Sequence, residues 1–153
     1  MGATTTHLTS LLKKLKEKYP TLQFEVGEHF LWSPENNTVT YQSNGEPALL
    51  LHEVAHALLA HTTYERDVQL VAMERAAWEK AREISISYDV TISEDLLEGH
   101  LDTYRDWLHA RSTCPACTAT GYQSGASAYT CPACTQEWHV NEARVCQLRR
   151  VKI

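Results

Sequence analysis

The stretch Leu49-Leu50-Leu51-His52-Glu53-Val54-Ala55-His56-Ala57-Leu58-Leu59 constrains this chain more than any other. Apolar residues surround three polar ones without internal glycine or proline. Asn44-Gly45-Glu46-Pro47 just before it reads as a turn with proline at the first helical position, so the run is a buried helix. Two histidines four residues apart then project from one helix face. Burying His, Glu and His among leucines and alanines is costly unless a metal or hydrogen bonds satisfy them. The pattern His-Glu-x-x-His meets that cost: His52 and His56 share a zinc ion, and Glu53 acts as base on the water that the ion activates. The competing reading is a chance match on a core helix whose histidines are satisfied by hydrogen bonds alone.

A catalytic zinc commonly takes three protein ligands and keeps one position open, so a third ligand should lie downstream. After His61-Thr62-Thr63-Tyr64 breaks the apolar pattern, helical periodicity resumes near Val68 and runs to about Ile84. The carboxylates available are Glu65, Asp67, Glu74, Glu79 and Glu83. Glu74 shares a face with Leu70, Val71, Ala77, Trp78 and Ala81, whereas Glu79 and Glu83 sit among Arg75, Lys80 and Arg82 on a solvated face. A lone carboxylate in an apolar stripe needs a partner, which selects Glu74, with Glu79 next. His61 is rejected as a ligand. It lies five positions after His56, which on a continuous helix turns it away from the shared face, and no glycine is present to fold the chain back. It reads as a helix-end histidine.

Upstream, Leu8, Leu11, Leu12 and Leu15 recur at helical spacing, lysines occupy most of the other face, and Pro20 ends the pattern. From Leu22 to Gln42 the period changes to two, which gives three short strands in a small, largely antiparallel sheet. The strand from Phe30 to Ser33 is one candidate for an exposed edge on which extended peptide can pair. The segment from Ser85 to Ile92 is open between loop and short strand. A last helix starts at Ser93, an N-cap with Glu94 and Asp95 in its first turn. His100 falls on its apolar face, either as a core histidine or as a group near the metal. Tyr88 and Tyr104 are candidate donors to a developing oxyanion.

All five cysteines lie after residue 113. Cys114-Pro115-Ala116-Cys117 and Cys131-Pro132-Ala133-Cys134 are paired knuckles 13 residues apart, with Gly121 and Gly125 in an expected hairpin. Four thiolates so spaced make a closed tetrahedral zinc site with no position for water, which is structural. Cys146 is left over, either a buried small residue or a thiol able to occupy the open position of the other zinc and silence it. Trp138, His139, Arg144, Arg149, Arg150 and Lys152 make the tail aromatic and basic. With a net charge of -5 for the whole chain, protein contact or structural support ranks ahead of nucleic acid as its role. No run has the apolar length of a signal peptide core or a membrane span, and paired knuckles suit a reducing compartment, so a cytoplasmic protein without membrane contact is expected.

His52-Glu53-Val54-Ala55-His56, followed by Met73-Glu74-Arg75-Ala76-Ala77-Trp78-Glu79-Lys80-Ala81, resembles the ImmA/IrrE family of compact gluzincin metallopeptidases, related to the minigluzincins. The resemblance covers roughly residues 22 to 84. It implies zinc on His52, His56 and Glu74, Glu53 as general base, and cleavage of an intracellular, often regulatory, protein. That family commonly carries a second Glu two residues after the ligand and an Asn four after it. Here Ala76 and Trp78 stand in those places, so the Asn that would bond a ligand histidine has no counterpart in sequence. SprT-like proteases of DNA-associated proteins also join His-Glu-x-x-His to a zinc ribbon, but they need a third histidine soon after the motif, and none lies between His61 and His100. A zinc-stabilised interaction module with a masked or inactive site is the third reading. The expected fold is α+β: a compact zincin-like domain over residues 1–112, with its small sheet packed on helices, then a zinc ribbon and basic tail over 113–153. It would bind one catalytic and one structural zinc.

Overall fold

The computed structural model describes residues 2–141 and 150–153, the first five of them by backbone alone. The elements run α1 (Gly2–Lys18), β1 (Gln23–Val26), β2 (Leu31–Ser33), β3 (Thr38–Tyr41), α2 (Pro47–Leu58) and α3 (Asp67–Ser85). A 3-10 turn (Ile86–Tyr88), α4 (Glu94–Ser112), β4 (Tyr122–Gly125), β5 (Ala128–Thr130), β6 (Glu137–Val140) and β7 (Arg150–Lys152) complete the chain. The architecture is α+β, with one mixed and one antiparallel sheet.

Contacts divide the chain into two compact units. The first comprises residues 1–63 and 73–97. Its α1 buries Leu8, Leu11, Leu12 and Leu15 and exposes its lysines, the pattern of an amphipathic helix. In its sheet the order is β1-β3-β2, with β3 central, Val39 fully buried and both β1 and β2, the latter one candidate edge strand, at the edges. The ladder between β2 and β3 is antiparallel, but β1 pairs with β3 in parallel, which corrects the expectation of a largely antiparallel three-stranded sheet. Alternating residues reveal which face of a strand is buried and say nothing of which strand lies beside it. Here β1 passes over to the far side of β3, and Gly27 N–H extends their ladder to the Tyr41 carbonyl at 2.8 Å.

Helix α2 starts with Pro47 at its first turn and packs on β2, β3 and α1. Leu50, Leu51, Val54 and Ala55 are completely buried, so the helix is enclosed on nearly all sides and carries His52 and His56 inside with it. The segment left open between loop and strand is the 3-10 turn, ended by Asp89 in the left-handed region (φ 55°). Ser93 does cap α4, its Oγ accepting Leu96 N–H at 3.1 Å.

The second unit comprises residues 64–72 and 98–153. The ribbon sheet, in the order β4-β5-β6-β7, is therefore compact with the first turns of α3 and most of α4. Its core holds Cys114, Cys131, Tyr129, Trp138 and Val140. Trp138 stacks on Tyr129 (5.8 Å between rings, 15°), and its indole donates to the Arg111 carbonyl at 2.9 Å. Gly121 is required because a Cβ there would enter the Trp138 ring. Arg111 is buried beside Asp67, with Nε 2.8 Å from Asp67 Oδ2, and Tyr129 donates to the same oxygen at 2.5 Å. Arg111 also donates to the Asn141 carbonyl.

Candidate functional site

Helices α2 and α3 bring His52, His56 and Glu74 together in the first unit, their ligand atoms all within 4.8 Å. The spacing on α2 aligns the two imidazoles, and the apolar stripe of α3 faces Glu74 inward, so all three are buried. Glu74 Oε2 lies 3.0 Å from His52 Nε2, and Oε1 lies 3.3 Å from His56 Nε2. A tetrahedral site with metal–ligand bonds of about 2.0 Å has edges of about 3.3 Å. Glu74 Oε2 is buried and accepts no aligned hydrogen bond, as expected for lone pairs that converge on a common point. Burial by itself would raise the Glu74 pKa, but hydrogen bonding with the His52 and His56 rings, and attraction to them, outweigh it and hold the group ionised, well below the usual carboxylate range. The donor set thus fits a metal ion.

Glu53 stands beside this group without belonging to it. Burial pushes its carboxyl up to about 7, raised further by Glu74 and opposed by His56 and by the backbone N–H of Trp32 on edge strand β2. Competing carboxylates are otherwise engaged or exposed. Asp67 is held by Arg111 and Tyr129, Glu83 pairs with Lys80 at 3.1 Å in an exposed position, and Glu65 and Glu79 are exposed.

The four knuckle cysteines form a second group able to hold a metal. Cys114 and Cys134 sulfurs are 3.7 Å apart, and Cys117 and Cys131 sulfurs 3.5 Å. A disulfide needs about 2.05 Å, whereas tetrahedral thiolates at about 2.3 Å from a metal lie about 3.8 Å apart. The two knuckles repeat one backbone. Thr118 and Thr135 N–H return to the Cys114 and Cys131 carbonyls at 3.0 Å each, and Ala116 and Ala133 N–H point at the Cys114 and Cys131 sulfurs at 3.4 Å each. Desolvation would raise the Cys114 thiol, but the N–H groups of Cys117 and Ala116 outweigh it and bring it down to about 7. Cys131 is lowered in the same way, first by the Cys134 N–H.

No family model, curated protein or solved structure matches this chain. The site is read from its own chemistry.

The other sequence-derived candidates do not join the His52–His56–Glu74 group. Tyr88 donates to Tyr19, and burial together with that bond pushes it up to about 12. His100 and Tyr104 are half-buried on the part of α4 that belongs to the second unit. Cys146 lies outside the described residues, as do Arg144 and Arg149.

Three further residues surround the ligands. Trp78 is fully buried and stacks flat on His52 (4.2 Å, 9°). Trp32 sends its indole N–H to the His61 carbonyl at 2.9 Å as well as its backbone N–H to Glu53. His61 corrects the expectation that it turns away: its Nδ1 is 2.9 Å from His56 Nδ1. Helix α2 does not continue through it. Ala60 adopts the left-handed conformation (φ 55°), with Ala60 N–H to the Ala57 carbonyl and His61 N–H to the His56 carbonyl, a Schellman closure made without glycine. Burial lowers the His61 pKa, and neighbouring His56 lowers it further.

Proposed function

We propose that this chain is a zinc-dependent endopeptidase of the ImmA/IrrE, gluzincin, type, acting on an intracellular and regulatory protein in the cytoplasm. The observation that carries the reading is the convergence of His52, His56 and Glu74 with Glu53 held alongside and outside the ligand set. A carboxylate as third ligand favours this type over the SprT-like one, which takes a histidine there. Among the described residues no helix is long and apolar enough to cross a membrane, so nothing in them ties the substrate to a bilayer.

His52, His56 and Glu74 would hold a zinc ion, which would supply Lewis-acid polarisation of the scissile carbonyl and a more acidic attacking water. Glu53 takes that water's proton and delivers it to the leaving amine nitrogen. A carboxyl whose pKa is raised toward neutrality is suited to both transfers. Glu74 and His56 keep their donor atoms 3.3 Å apart, the spacing of two ligands on one tetrahedral ion. The cysteine group takes a structural zinc that closes the ribbon, and the exposed Arg150 and Lys152 on its last strand suit a protein partner.

The test is Glu53→Gln in the full chain. Two zincs should remain and cleavage should vanish; undiminished proteolysis would sink the mechanism. The same variant, used to trap uncleaved substrate from a cell extract, identifies what is cut.

A further inference from the structure

We propose that His61 is a positioning residue that presents His56 Nε2 to the metal, by accepting a hydrogen bond at its own Nδ1 from His56 Nδ1–H. The inference rests on the metal-site reading above and names the group that sets the protonation pattern of one ligand.

His56 has two ring nitrogens with different neighbours. Nε2 faces Glu74 Oε1 at 3.3 Å, while Nδ1 faces His61 Nδ1 at 2.9 Å. Between two neutral imidazole nitrogens at that distance there is one proton, and the tautomers decide which ring owns it. If His56 owns it, Nε2 keeps a lone pair aimed at the metal position. If His61 owns it, the proton of His56 sits on Nε2 and blocks coordination. Ligation therefore requires His61 to be the acceptor, with its own proton on Nε2. A ligating histidine commonly needs such a partner at its second nitrogen to fix tautomer and ring orientation.

The backbone around His61 is built to hold it there. The left-handed Ala60 reverses the chain, His61 N–H bonds the His56 carbonyl at 3.0 Å, and the His61 carbonyl receives the Trp32 indole at 2.9 Å. Because the Trp32 N–H also reaches Glu53, one residue of β2 braces both the base and the support of a ligand. His52, the other ligand from α2, has Glu53 Oε1 3.6 Å from its Nδ1 and the face of Trp78 against its ring.

The test compares His61→Phe with His61→Asn in the full chain. Phenylalanine keeps the ring and has no acceptor; asparagine places Oδ1 where Nδ1 stood. Zinc affinity of each site is measured by chelator competition. His61→Phe should weaken the His–Glu site by about 10- to 100-fold and leave the cysteine site unchanged. His61→Asn should recover most of the affinity. Unchanged affinity in His61→Phe overturns the inference alone, as does equal loss in both variants, which would mark His61 as packing. A wild-type chain that takes up one zinc only, at the cysteines, overturns the metal reading and this inference together.

Discussion

Ala60, Thr118 and Thr135 all adopt the left-handed backbone (φ 55°, 66° and 65°) that side chains with a Cβ resist. Each ends a motif that carries a candidate metal ligand, and each strains the chain by about 1–2 kcal/mol. Glycine at Ala60 removes the Cβ clash while adding freedom to the unfolded chain, so Ala60→Gly should gain up to about 1 kcal/mol in urea unfolding and keep the His56–His61 contact. A loss of stability would mean that the turn is held by something other than its hydrogen bonds. Asp67 and Arg111 belong to the same scale. Both are buried, 3% and 1% exposed, and Arg111→Met leaves the Asp67 carboxylate with Tyr129 as its remaining side-chain donor. That substitution should cost about 3–5 kcal/mol in chemical denaturation. Asp67 was legible as a candidate ligand and Arg111 was not legible as its partner, because 44 residues separate them and nothing local marks a cation as buried.

The elements were largely written in the periodicity. Leucines at helical spacing gave α1, Pro47 opened α2, the stripe around Glu74 gave α3, and Ser93 capped α4. The paired α2 and α3 are also where metal loss should appear. Glu74→Ala should release one zinc per chain and abolish activity; the combined Cys114→Ser and Cys117→Ser should release the other and leave the first, both read by metal analysis of the purified protein. Retention of both zincs by Glu74→Ala would move the third ligand elsewhere. Trp78 lies one turn beyond Glu74 on α3, fully buried against His52, and Trp78→Ala should cost about 3–5 kcal/mol as well as weaken zinc binding. Strand order was not legible. Parallel pairing of β1 with β3 depends on where the four-residue connection from Val26 to Leu31 carries the chain, and no residue pattern encodes that path.

For the whole molecule, contacts divide the chain so that α3 and α4 each contribute to both units. The two metal groups lie in different units, the His–Glu group in the first and the cysteines in the second. Removal of the cysteine-bound zinc should therefore be read first by Trp138, in the core beside Cys114 and Cys131, and removal of the other by Trp78. Fluorescence of Trp138→Phe and Trp78→Phe variants during chelation separates the two; a single simultaneous change in both would overturn independent sites.

Sequence alone picked out the two groups that could hold a metal, because a four-residue spacing on a helix and a repeated Cys-Pro-Ala-Cys knuckle are local geometry that short-range backbone structure enforces. It selected Glu74 because a buried carboxylate in an apolar stripe must be compensated. Tertiary structure alone decided what surrounds those ligands. His61 meets His56 through one left-handed dihedral at an alanine, Trp32 reaches both Glu53 and His61 from 29 residues before His61, and Trp78 occupies the place where a polar partner for a histidine was expected. These arrangements depend on a backbone reversal and on packing between distant segments, whose energies are set by the assembled fold rather than by any short stretch of chain.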